Sequence, residues 1–82
     1  VDGPLRADTI ILTNRNSVQS NRDFYMRELN KNGWQVLHEE IRQGAQVIVL
    51  SGNQGRLEVA IAPANGETMV VMNQSWGVYE DN

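Results

Sequence analysis

This 82-residue chain has no cysteine, a single histidine, two prolines and only 6% aromatic side chains. Without cysteine there are no disulfides, thiolate zinc sites or cysteine nucleophiles. The compartment stays open, because many exported bacterial domains lack cysteine too. Ser17, Ser20, Ser51 and Ser75 all lie outside a G-x-S-x-G context, and one histidine gives a nucleophilic triad no support. Long apolar runs are also missing. None approaches the roughly 18–20 residues of a membrane span, and the start does not read as a signal peptide. Basic charge is thin in the second half, where Arg56 stands against Glu58, Glu67, Glu80 and Asp81. Residues 1–42 balance six basic against six acidic side chains, and the net charge is −3. General nucleic-acid binding, which needs a concentrated basic face, is not expected.

What is present suits one small globular domain: 40% hydrophobic and 21% charged residues, with no room for a second core. The expected division is a flexible lead-in over 1–6, the domain over 7–76 and a tail over 77–82. The chain starts Val-Asp-Gly-Pro-Leu-Arg rather than with Met. That points to processing or excision from a longer protein, with room for an anchor upstream of Val1.

Ala7–Thr13 is β-rich and apolar on both faces, which predicts a strand interior to the sheet or covered on both sides. A helix follows, capped by Ser17 or Ser20. At 100° per residue Val18, Tyr25 and Leu29 fall within about 40° of one another, flanked by Met26 and Phe24. Asp23 and Arg27 have i,i+4 spacing. Asn32-Gly33 stops the helix, and Trp34 folds back onto its end. Four strand-like runs come next. Trp34–Arg42 alternates weakly, with Leu37 and Ile41 on one side and Trp34 and Val36 on the other. Ala45–Ser51 and Arg56–Ala62 follow, the latter with Leu57, Val59 and Ile61 inward, and Thr68–Gln74 closes the series. Turns at Gln43-Gly44, Gly52–Gly55 and Pro63–Gly66 are short enough to force an antiparallel meander. The expected fold is therefore α+β: β-α-β-β-β-β, one helix packed on a twisted antiparallel sheet of four to five strands.

Chemistry is sparse. Within His38-Glu39-Glu40 only His38 and Glu40 share a strand face, and two ligands without a third make a poor metal site. Gly52-Asn53-Gln54-Gly55 leads into a strand rather than a helix N-terminus, so it reads as a hairpin and not as a phosphate cradle. Arg15, Arg22, Arg27, Lys31 and Arg42 read as a solubilising set. No catalytic residue, cofactor or metal ligand is expected. Trp76, Val78 and Tyr79, beyond the last clear strand, are the partner-binding expectation, because Trp and Tyr are enriched at interaction centres. A nearby exposed edge strand would allow strand addition.

Phe24, Tyr25, Leu29, Gly33 and Trp34 form an F-Y-x-x-x-L-x-x-x-G-W pattern ahead of a hairpin-rich series. It resembles small accessory domains of bacterial envelope and secreted proteins, in which an "FY" helix ends at "GW" and packs on a β-meander. The resemblance implies a non-enzymatic module of the periplasm or outer membrane, whose partner is another envelope or secretion component. The one-helix, one-sheet arrangement is also similar to cystatins. Gly3 matches their N-terminal glycine, but Gln46–Leu50 departs from Q-x-V-x-G and Ser75-Trp76 from P-W, which removes the inhibitory motifs. The leading expectation is a protein-binding or assembly module acting through a sheet edge and the C-terminal aromatics. A small-ligand or lipid carrier, with a pocket between Tyr25, Leu29, Met69 and the sheet, is the alternative. An enzyme would have to work through His38 and Glu40.

Overall fold

The computed structural model describes residues 5–53 and 55–77. Its elements run β1 (Leu5–Asn14), α1 (Val18–Lys31), β2 (Gln35–Arg42), β3 (Ala45–Gly52), β4 (Gly55–Ala64) and β5 (Glu67–Gly77). The expected α+β order is present, with all five strands antiparallel in one sheet ordered β1-β5-β4-β3-β2. Consecutive hairpins lay down β2 to β5, and β1 pairs with β5, leaving β1 and β2 as the edges. β1 takes in Leu5 and Arg6, which face Gly77 and Trp76, so the strand begins inside the stretch expected as a lead-in. β5 likewise runs past Gln74 to Gly77.

Two hairpins are closed by two-residue loops with both φ angles positive: Gln43 (54°) and Gly44 (83°), then Asn65 (54°) and Gly66 (79°). Such loops match the right-handed twist of the strands they join. The second turn is tighter than expected, because Pro63 belongs to β4 and faces Thr68. Its missing N–H does no harm there. In a two-residue hairpin the closing pair, Ala64 and Glu67, exchanges hydrogen bonds, so residue 63 directs its backbone away from β5. On that side β3 pairing has already ended at Gln46↔Ile61.

Ser17 is the helix cap: its Oγ accepts the Ser20 N–H at 3.0 Å. At the other end Asn32 caps, Gly33 takes φ 92°, and the Trp34 N–H returns to the Leu29 carbonyl at 3.0 Å. The indole then lies over Gly52, where a Cβ would sit 2.9 Å from the ring. Ile48, Leu50, Leu57, Val59, Ile61 and Val70 form the buried core, and Leu12, Val18, Tyr25, Met26, Leu29, Trp34 and Met72 pack against it.

Three local expectations are corrected. Phe24 is not a core residue. It is 46% exposed, edge-on to Tyr25 at 5.0 Å, with the Arg27 guanidinium 5.9 Å from its ring centre. The Asp23–Arg27 pair gives way to a shorter arrangement in which Asp23 Oδ1 accepts from Arg22 (3.1 Å) and Gln19 (3.0 Å). In β2 the pairing jumps from Val36↔Leu50 to His38↔Val49, leaving Leu37 as a bulge. A bulge inverts the alternation beyond it. Val36 and Ile41 therefore share the helix side of the sheet, instead of standing on opposite faces.

Two substitutions test this frame. A Cβ on Gly55 would lie 2.0 Å from the Ser75 carbonyl oxygen, a contact with backbone that cannot swing away. Gly55→Ala is expected to cost about 2–3 kcal/mol in urea unfolding. Gln43 is a non-glycine residue held left-handed in an open turn. Gln43→Asn, which suits that turn better, is expected to add about 0.5 kcal/mol by the same measurement.

Candidate functional site

The two edges of the sheet are built differently. On β2, the bulge at Leu37 is followed by a run of charge. His38 Nε2 lies 3.1 Å from Glu40 Oε1, and Arg42 Nε donates to Glu40 Oε2 at 2.8 Å, with a second guanidinium nitrogen on the same oxygen. Arg42 also reaches Glu58 of β4 at 3.6 Å. To do so it crosses β3, where Val47 is buried on the face away from the helix. These contacts hold Glu40 below the usual carboxylate range, His38 first and Arg42 second. Glu39, turned to the helix side by the bulge, takes two hydrogen bonds from Arg22 (2.9 and 2.8 Å) and one from Gln46 (2.6 Å). The Arg22 guanidinium is the main cause of the lowered Glu39 pKa, and partial burial opposes it. Arg22 is raised in turn, by Glu39 and then by Asp23. A bulge and alternating charge are what keep a sheet edge from accepting another strand.

β1 has neither. Its register with β5 is unbroken from Leu5↔Gly77 to Asn14↔Thr68. Thr9-Ile10-Ile11-Leu12-Thr13-Asn14 carries no charge, proline or glycine. Ile10 is 54% exposed and Ile11 63%, on opposite faces. The hairpin at Asn65-Gly66 also fixes which amides are free. Ala64 and Glu67 point at each other, so Thr68 points away from β4 and toward its β1 partner Asn14. Counting back by alternation, Leu12, Ile10 and Asp8 direct their backbone groups to β5. Thr13, Ile11, Thr9 and Ala7 direct theirs outward.

Side-chain hydrogen bonds tie the edge down at both ends of this run. Asn14 and Asn21 exchange side-chain hydrogen bonds (2.8 and 2.9 Å), and Asn21 Nδ2 also donates to the Ser17 carbonyl at 2.9 Å. Asn14 Oδ1 takes the Asn16 N–H at 3.0 Å. The Thr9 hydroxyl donates to Asn73 Oδ1 on β5 at 2.6 Å. Asn21 is 4% exposed and fully satisfied, so the end of β1 is tied to the first turn of the helix.

Of the expected partner-binding residues, Trp76 lies in β5, half-buried and opposite Arg6, one strand inside the open edge. Val78 and Tyr79 fall outside the described residues. His38 and Glu40 do meet, but among the described residues no group of three His, Cys, Asp or Glu side chains could hold a metal. Tyr25 and Leu29 lie on the helix side, whereas Met69 alternates with the buried Thr68 and Val70 and so faces the other way. Those three residues do not line one pocket. Among the basic residues Arg15, Arg22, Lys31 and Arg42 each have a carboxylate within 4 Å. No helix among the described residues is long and apolar enough to cross a membrane.

Asn21 and the Arg22–Glu39 pair were not apparent from sequence reading. The signal was helical spacing: Asn21 and Arg22 follow Val18 by three and four residues, which puts both on the sheet-facing stripe. Glu39 should supply a distinct component of acid stability. Because its pKa is lower folded than the ordinary value near 4.5, its contribution is complete above that value and lost as pH falls through the depressed one. Glu39→Gln is expected to lose about 1 kcal/mol at neutral pH and to show a flatter acid limb in pH-dependent unfolding. Comparison of the chain with family models, curated proteins and solved structures returns no match, so the functional reading rests on the two edges described above.

Proposed function

We propose that this domain is a non-enzymatic protein-binding module that accepts an extended segment along the outer edge of β1, with Trp76 near one end of the docked strand. The asymmetry of the edges carries the reading. One is closed by a bulge and four charged or titratable side chains, while the other offers outward amides at Thr9, Ile11 and Thr13 around the exposed Ile10 and Ile11. Main-chain hydrogen bonds would give affinity along β1, and the alternating exposed side chains would give selectivity. The FY…L…GW pattern is the ground for placing such a module in a bacterial envelope or secreted protein.

A lysine-flanked peptide of alternating Thr and Ile is a suitable probe, followed by amide NMR. The expected result is a shift of the Thr9, Ile11 and Thr13 amides, leaving the β2 amides in place. Ile11→Pro should abolish the response and keep the fold, because the Ile11 N–H makes no bond within the sheet. Shifts confined to β2, or a response unchanged by Ile11→Pro, would refute the assignment.

A further inference from the structure

We infer that a second copy of this chain occupies the β1 edge, the two β1 strands running antiparallel about a two-fold axis at Ile11. The inference rests on the open-edge reading above and names its occupant.

The backbone fixes which self-pairings are allowed. Opposed residues in an antiparallel pair must share a face, and those that exchange hydrogen bonds must both point outward. With Ile11 opposite Ile11 of the second copy, Thr9 meets Thr13 and Thr13 meets Thr9. All are outward-pointing residues on the face away from the helix. On the helix side Ile10 meets Leu12 of the second copy, and Leu12 meets its Ile10. The helix leaves Ile10 54% exposed despite its place in the row with Met72 and Val59. The dimer completes that row with apolar side chains from the second copy. The threonine pairs on the other face are favourable cross-strand partners.

Charge selects the antiparallel arrangement. Asp8 stands near one end of the uncharged run and Arg15 just past the other, 87% exposed. Antiparallel pairing sets Asp8 opposite Asn14 of the second copy, one residue from its Arg15, whereas parallel pairing would set Asp8 against Asp8. The guarded β2 edge then ends the assembly. Both ends of the continuous ten-stranded sheet are a bulged and charged β2, so the pairing closes as a dimer and does not propagate as a fibre. The contact is a strip a few residues long, smaller than a standard interface of about 1,600 Å², so the dimer belongs to the weak class.

Sedimentation equilibrium of the full chain, from micromolar to millimolar concentration, is the first test. The weight-average mass should rise from the 9.2 kDa monomer toward twice that value, and Ile11→Pro should hold it at the monomer while the amide spectrum stays folded. Register is tested by cross-linking, since the chain has no cysteine of its own. Under copper–phenanthroline oxidation Ile11→Cys should give a disulfide dimer, because directly opposed hydrogen-bonded positions lie about 5.5 Å apart at Cα. Thr9→Cys should not, as the four-residue offset separates the two thiols by about 13 Å. Equal cross-linking of the two variants would overturn the register. A wild-type chain that stays monomeric throughout while still binding the Thr–Ile peptide would overturn the second copy as occupant and leave the open edge intact. Failure of both would remove the edge itself.

Discussion

A single helix is too narrow for this sheet. With side chains it spans about 10–12 Å, whereas five strands set their outer axes about 19 Å apart. Some of the sheet must go uncovered, and the placement of α1 decides which part. Its sheet-facing residues Val18, Tyr25, Met26 and Leu29 pack over a core drawn from β3, β4 and β5. At the flanks cover is incomplete, and Ile10 on β1 and Ile41 on β2 stay exposed even though both stand on the helix side.

Polar anchors hold the helix in that position. At its start, the Asn14–Asn21 exchange fixes the first turn to the end of β1, and the buried amide has no unsatisfied atom. In the same turn, Arg22 grips Glu39 of β2 with two short hydrogen bonds. One contact reaches each edge strand, and the apolar stripe between them lies over the middle of the sheet. At the far end Trp34 closes the core by lying on Gly52, which a side chain at position 52 would prevent. The helix is thus held at points on both sides of the core, which orients it more tightly than apolar packing alone would.

The edges carry the functional consequence of this geometry. β2 is joined to the body through Glu39, and its Glu40 and Arg42 make a charged lattice that extends to Glu58. β1 is anchored at Asn14 and Thr9 but presents nothing charged between them. A strand with outward amides, a fixed register and apolar side chains on both faces is a template for another strand. Trp76, expected beyond the last clear strand, instead lies within β5, in register with Arg6 and beside that template.

The sequence by itself determined the elements and their order: a serine at 17 or 20 and Gly33 bound the helix, Asn65-Gly66 and Gln43-Gly44 close hairpins, and alternation puts Leu57, Val59 and Ile61 inward. These are local properties of backbone propensity and periodicity, readable within a few residues. Only the tertiary structure decided that β1 returns beside β5, since strand order depends on pairing between segments some sixty residues apart. The ambiguity of Thr9–Asn14 has the same cause. A run apolar on both faces reads as an interior strand, and only the narrowness of the helix and the closure of the meander leave it at the rim. The bulge at Leu37 was equally hidden. Its effect is to turn Glu39 toward Arg22, and that partner lies on another element.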